Sequence, residues 1–281
     1  MLELNTPATK KWKLHELSEL VDSIENKVIE KTTEKPIPYI QDYNNIILDI
    51  TGKSLQTIRE VIMLCAGGYP DGALSLARNL YEQLIIVCFL ESIKDEANSQ
   101  DYYEDYFLDY DCQRYKNLKL MKKYGQLDQS EEVVLKDLSQ KISDEAHKDV
   151  KKGIYWWTGI ANFQAIIDHL AKKVEPNMRS FFNKLHMEYK RACLSIHSNS
   201  FGNAVRLGSK AAPFVIDNSA KMCGQSMPLS LATTSFVQIV VCVCEVLDID
   251  YFGLYKDRLS KLIIFFEEQG LKDEGLDEKE V

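Results

Sequence analysis

"AGGYPDGALSLARNLYEQLIIVCFLESI", residues 66–93, contains the signals that decide the fold. Paired glycines are typical of a helix end, and the proline after them suits the first turn of the next helix. A helix is therefore predicted to begin here and to run to about Ile93. Its second half is apolar on nearly every side, and such a helix has to lie between other helices, so the stretch predicts a packed helical core.

The segments on both sides of this stretch follow the same pattern. Apolar residues recur at helical spacing, and breakers containing glycine or proline separate them, whereas no alternating strand pattern and no internal repeat is found. The predicted fold class is all-α, a multi-helix bundle of about 8–9 helices with no sheet. The predicted organisation is an N-terminal helix and linker at 1–38, a single helical domain at 39–269 and a disordered acidic tail at 270–281. Within it, the second helix is expected to start near Tyr39 and to be interrupted near Gly52.

Charge limits the functions that the chain can have. Its 281 residues carry a formal net charge of −8. Broad electrostatic attraction to nucleic acid is therefore not expected, because phosphate contacts need concentrated lysine and arginine. A small local basic patch remains compatible with this composition.

Cysteine usage and hydropathy point to a cytoplasmic protein. The seven cysteines are an odd number and lie mostly inside apolar runs, which is typical of a reducing compartment. The N-terminal segment has no apolar signal-peptide core. The longest apolar stretch, residues 236–247, is shorter than the roughly 20 residues that a transmembrane helix needs, so no membrane association is predicted.

Local motifs for cofactor or metal chemistry are missing from the sequence. It contains no phosphate-binding loop, no dinucleotide fingerprint, no HExxH and no cysteine–histidine cluster with zinc spacing. No cofactor and no metal are predicted. A metal-dependent hydrolase would need ligands that converge from separate helices.

A polar stripe on the helix at 70–93 provides the first candidate site. Two interpretations stay open: a solvent-facing stripe with an Arg78–Glu82 ion pair, or one side of a sheltered cleft. The cleft is favoured because the same sector continues into an apolar turn, and within a cleft Arg78 and Glu82 would need partners or a ligand. Its members, at spacings of three and four, are Asp71, Ser75, Arg78, Asn79, Glu82 and Gln83.

"KRACLSIHSNSFG", residues 190–202, provides the second candidate site, because Arg191 and His197 stand six positions apart. Helical phase places Arg191 nearly opposite the predicted buried stripe, which consists of Phe181, Leu185, Tyr189, Ala192, Cys193 and Ile196. Arg191 is therefore expected in solvent. His197 falls on the flank of that stripe at a helix C-terminus, where it either caps the last carbonyls or acts as a catalytic acid–base group. Ser195 and Asn199 surround it with small hydrogen-bonding groups.

Paired tryptophans break the helical pattern in "GIYWWTG", residues 153–159. Adjacent tryptophans on a loop usually fill the gap between helices, although their indole N–H groups can also line a pocket. Trp157 is included among the pocket candidates on the second interpretation.

Three segments together resemble a known family. "GGYPDGALSLARNLYEQLIIVCFLE", "IYWWTGIANFQAIIDHLAKKV" and "MEYKRACLSIHSNSFG" resemble, in order and spacing, the bacterial and phage helical proteins grouped as DUF5677, over about residues 55–205. The matching positions in this chain are Arg78, Glu82, Trp156, Trp157, Gly159, Tyr189, Ser195 and His197. A more distant likeness, resting on the Arg191 to His197 spacing, connects the chain to the helical HEPN ribonucleases, which often use such a pair at a dimer cleft.

Two hypotheses about function follow. The first is a HEPN-like, metal-independent RNA endonuclease, such as a toxin or phage-defence effector, with His197 as general acid or base and Arg78 or a partner subunit's Arg191 stabilising phosphorane charge. Glu82 would orient the arginine or the histidine, and the protein would act on RNA as a homodimer. The second is a non-catalytic scaffold or sensor that binds a protein partner or a small ligand in the same cleft.

Overall fold

The computed structural model describes residues 7–144, 155–176, 178–196 and 224–273. All regular structure in these ranges is helical, so the all-α prediction is confirmed. Ten α-helices are described: α1 Pro7–Lys11, α2 Leu14–Glu34, α3 Tyr43–Ala66, α4 Pro70–Ile93, α5 Ser99–Lys123, α6 Gln129–Asp144, α7 Phe163–Lys173, α8 Arg179–Ile196, α9 Ser226–Val246 and α10 Asp257–Asp273. A 3₁₀ turn at Trp156–Thr158 and a π-helical turn at Phe252–Lys256 are also present.

The turn between α3 and α4 begins where the glycine pair predicts it. Gly68 adopts a left-handed backbone with φ of 80°, which a glycine reaches without the steric cost of a Cβ atom. The amide of Tyr69 donates to the Leu64 carbonyl at 2.8 Å, and so the last turn of α3 is closed. Pro70 then opens α4, which ends at Ile93.

One expectation about α3 was wrong. The helix continues without interruption through Gly52. Thr51 and Ser54, on either side of it, are buried and donate their hydroxyls to carbonyls one turn earlier. Packing of these neighbours outweighs the roughly 1 kcal/mol helix cost of a glycine.

The chain forms two compact units, and the unit boundaries fall inside α3 and α4. The first unit comprises residues 1–38, 47–88 and 174–281. Its core includes α9, in which residues 229–237 are buried without exception. The neighbouring α10 packs closely on it, since Ser226 donates a 2.9 Å hydrogen bond to the Phe266 carbonyl and a Cβ atom on Gly270 would collide with the Ser226 hydroxyl.

The second unit comprises residues 39–46 and 89–173. Trp157 is 3% exposed and meets the rings of Phe89 and Tyr106 edge to face, with centroids 5.6 and 5.0 Å away. The neighbouring Trp156 donates its indole N–H to Asp109 at 2.6 Å. Both tryptophans therefore fasten the 3₁₀ turn to this unit's own helices.

Two helices, α4 and α9, are long and apolar enough to cross a bilayer when only length and composition are judged. Within the structure, 56% of the apolar window in α4 and 72% of that in α9 are buried. Core helices satisfy the same criterion, so the finding does not separate a membrane span from a core helix.

Candidate functional site

An ion pair and a tyrosine hydroxyl join α4 to α8 in the first unit. The Arg78 guanidinium lies 2.7 Å from Glu82 Oε1, one turn along α4, as the predicted i,i+4 pair requires. Tyr189, from the middle of α8, donates its hydroxyl to the same carboxylate oxygen at 3.1 Å. We call these three residues the Arg78 cluster.

Aromatic stacking sets the register of the two helices at this point. The Tyr189 ring stacks on Tyr81 of α4 with centroids 4.7 Å apart, and His186 stacks on both rings at 5.9 and 6.1 Å. His186 Nδ1 is also 3.2 Å from the Tyr81 hydroxyl. Since Tyr81 is fully buried, the stack fixes where α8 crosses α4 and thereby where the Tyr189 hydroxyl lies.

The Arg78 cluster is only partly covered. The side chains of Arg78 and Glu82 are 28% and 23% exposed. The Arg78 Nε atom is nevertheless buried and has no hydrogen-bond acceptor among the residues that the structure describes. A buried donor without an acceptor is costly, so this nitrogen is a position where an additional anionic group would be stabilised.

The protonation states of the cluster follow from its contacts. Burial works against the charge of Arg78, but the Tyr189 hydroxyl and the Glu82 carboxylate outweigh it, and the pKa of Arg78 is raised. Burial, followed by a hydrogen bond with Cys193, raises the pKa of Tyr189 well above its usual value. At neutral pH the cluster therefore holds a charged guanidinium and a neutral phenol, so Tyr189 donates a hydrogen bond and is not a base.

A second group of charges lies on another face of α8. Lys184, Glu188 and Arg191 line a cleft toward α9 and α10. Lys184 pairs with Glu267 of α10 at 2.8 Å. Burial raises the pKa of Glu188 to about 7, and the nearby Lys184 charge opposes this shift. We call this the charged cleft.

The sequence-predicted residues fall into three groups. The structure brings Arg78 and Glu82 together, with Asn79 exposed on the same helix. Arg191 is exposed, as helical phase predicts, and lines the charged cleft instead of the Arg78 cluster. Trp157 belongs to the core of the second unit.

The remaining predicted residues cannot be placed in the site. His197 and Asn199 lie outside the described residues, as does the side chain of Ser195. The predicted buried stripe of α8 holds for Leu185, Tyr189 and Ala192, whereas Phe181 is 39% exposed because it lies in the first turn of the helix.

Two residues that sequence reasoning left aside belong to these sites. His186 stands three positions before Tyr189, a spacing that puts both on one helical face, and this spacing was the available signal. Glu188 forms a stripe with Lys184 and Arg191 at intervals of four and three. Periodicity indicated that stripe, but only the packing of α9 and α10 reveals that its carboxyl is largely buried.

The chemistry available to the Arg78 cluster is recognition of an oxyanion. A guanidinium held by one carboxylate presents further N–H donors in a planar fork that matches a phosphate or carboxylate group. Within the described ranges, no group of three or more histidine, cysteine or acidic side chains is placed to hold a metal ion.

Comparison with known proteins gives one match. Neither the curated proteins nor the solved structures contain a match to this chain. The model of a family of unknown function, DUF5677, matches residues 44–211, which include α4, α8 and every residue of the Arg78 cluster. The chain therefore belongs to the DUF5677 family.

Proposed function

We propose that this protein is a metal-independent, HEPN-like RNA endonuclease, of the kind that serves as a toxin or phage-defence effector. The observation that carries the proposal is the Arg78 cluster: a permanently charged arginine, oriented by Glu82 and Tyr189, with a buried Nε that lacks an acceptor among the described residues. A phosphodiester is an oxyanion that this guanidinium would recognise.

The proposed reaction needs no cofactor. His197 follows the last residue of α8 in the sequence and acts as the general base, taking the proton from the ribose 2′-hydroxyl. The 2′-oxygen attacks phosphorus, the bond to the 5′-oxygen breaks, and that oxygen leaves with a proton. The products are a 2′,3′-cyclic phosphate and a 5′-hydroxyl end.

Charge stabilisation is assigned to arginine. Arg78 neutralises the extra negative charge on the phosphorane, and Glu82 positions Arg78. In a homodimer, the partner subunit's Arg191 would provide a second cation, since a residue exposed on one subunit can enter the site of another.

The decisive experiment compares wild type and His197→Ala on total RNA in EDTA, with the melting temperature of each protein recorded. His15→Ala is a matched control, because His15 is an exposed histidine paired with Glu19 on α2. We expect wild type and His15→Ala to cleave RNA and His197→Ala to be inactive at an unchanged melting temperature. Cleavage by His197→Ala would refute the proposed base.

Mixing two inactive variants tests the dimer. When Arg191→Ala and His197→Ala subunits form a mixed dimer, one site recovers an intact histidine and an intact arginine from opposite chains. Recovered cleavage supports catalysis across the dimer. If both variants are inactive alone and stay inactive in the mixture, although mixed dimers form, Arg191 does not act in the partner's site.

A second candidate function is a non-catalytic scaffold or sensor that binds a protein partner or small ligand. The observation that favours it is that Glu82 accepts from both α4 and α8, which is what a structural lock between helices requires. The net charge of −8 also favours partners other than nucleic acid. No RNA turnover, together with a large drop in melting temperature for Glu82→Ala, would support this function.

A further inference from the structure

The charged cleft on the far face of α8 is built by three helices of the first unit. It encloses about 210 Å³, below the ~300–1,000 Å³ of pockets that take drug-sized ligands, and so suits a small molecule. Lys184, Glu188 and Arg191 come from α8, and Glu267, Gly270 and Leu271 from α10. The N-terminal turns of α9 contribute Ser226, Met227 and Ser230.

Two of the four charges in the charged cleft already satisfy each other. Lys184 and Glu267 form a 2.8 Å ion pair that ties α8 to α10. Glu188 and Arg191 behave differently: across the residues that the structure describes, neither makes an ion pair or a hydrogen bond. The cleft therefore presents one acid and one base that do not neutralise each other.

This pair of charges defines the chemistry of a ligand. A purely anionic molecule would meet the carboxylates of Glu188 and Glu267, and a purely cationic one would meet Lys184 and Arg191. A small zwitterion avoids both conflicts, because its cationic group faces Glu188 while its carboxylate faces Arg191. Met227 and Leu271 provide apolar surface for a side chain on the ligand.

We infer that the charged cleft binds a small zwitterion of the α-amino acid class, with the ammonium on Glu188 and the carboxylate on Arg191. The site is separate from the Arg78 cluster, and the inference does not rest on RNA cleavage. It gives the protein a means of sensing a metabolite through α8, the helix that also carries Tyr189.

The protonation of Glu188 makes this binding dependent on pH. The charged groups around it are Lys184 and Arg191 on its own helix and Glu267 on α10, while α9 contributes only uncharged side chains. Burial raises the pKa of Glu188 to about 7, so the carboxylate that an ammonium group needs is present above that pH and lost below it. Affinity is therefore expected to fall by about tenfold per pH unit below 7.

The test uses the full chain and a panel of free α-amino acids, each screened by thermal shift at about pH 8 and then by calorimetry. We expect at least one of them to raise the melting temperature. Its N-acetyl derivative, which lacks the cation, and its methyl ester, which lacks the anion, are expected to bind at least about tenfold more weakly.

Isosteric variants locate the site. Glu188→Gln is expected to lose binding by about tenfold or more, and Glu268→Gln, an exposed carboxylate on α10 outside the cleft, is expected to bind like wild type. Glu188→Gln removes a buried charge, so it should melt higher than wild type at about pH 8 and equally at about pH 4, where both side chains are neutral. That measurement shows that the variant is folded.

Three results would overturn the inference. The first is a panel in which no free amino acid changes the melting temperature. The second is unchanged affinity in Glu188→Gln. The third is equal binding of a derivative that lacks one of the two charges, which would make the cleft a simple cation or anion site.

Discussion

Two arginines of the first unit illustrate how similar ion pairs take different roles. Arg59 of α3 binds Glu25 through two nitrogens at 3.0 and 2.6 Å and Asp22 at 2.8 Å, both on α2. Its side chain is 32% exposed, close to the 28% of Arg78. Exposure therefore does not distinguish them.

The difference lies in how completely each guanidinium is used. Arg59 faces two carboxylates in a bidentate arrangement, and these raise its pKa against the opposing effect of burial. Arg78 has one carboxylate and a phenol, and its buried Nε has no acceptor among the described residues. A saturated arginine fastens helices, whereas an arginine with a spare donor is available to a ligand.

The largest expected effect separates activity from stability. Arg78→Lys replaces the planar fork by a point charge and is expected to lower RNA cleavage by about 100-fold, while Arg59→Lys leaves cleavage unchanged. Cleavage rates on a fluorescent RNA, measured for both variants, check this. Equal losses in the two variants would erase the distinction between the arginines.

Glu82→Ala should cause the next largest effect, on stability. Two donors, the Arg78 guanidinium and the Tyr189 hydroxyl, lose their acceptor in a partly covered position, so the free energy of unfolding is expected to fall by about 2 kcal/mol. Urea denaturation measures the change, and Glu82→Gln, which keeps an acceptor oxygen, should lose less. A fall below about 0.5 kcal/mol would place Glu82 among ordinary surface ion pairs.

Tyr189→Phe isolates the hydroxyl within the Arg78 cluster. The stacking on Tyr81 and His186 remains, and one hydrogen bond to Glu82 is lost, so the expected destabilisation is about 1 kcal/mol. The same variant should also lower cleavage, because Arg78 loses a neighbour that orients it. Thermal unfolding combined with the cleavage assay checks both effects, and unaltered stability and activity would show that the hydroxyl is not needed.

The smallest effect concerns salt. The carboxylates of Arg59 are 44% and 35% exposed, so ions screen this network, and raising ionic strength should reduce the stabilisation measured by a wild type to Arg59→Ala comparison by about 0.5 kcal/mol. The corresponding stabilisation from Glu82, which is 23% exposed, should change less. Denaturation curves at low and high salt distinguish the two, and a reversed order would contradict the assigned coverage.

The sequence carried enough information for most of the helices. The glycine pair and Pro70 place the start of α4, and the start and end expected from them agree with the structure. Helical phase likewise predicted that Arg191 is exposed while Tyr189 is buried. These features are local, since capping, proline geometry and a 3.6-residue period depend on neighbours along the chain.

By itself, then, the sequence determined that the chain is all-α, that it belongs with DUF5677 and that Arg78 and Glu82 can pair along one helix. Only the tertiary structure decided that Tyr189, 107 positions beyond Glu82, completes the cluster, and that Glu188 lies buried beneath α9 and α10. The physical reason is that periodicity tells which face of a helix is covered, but the partners on that face are chosen by long-range packing.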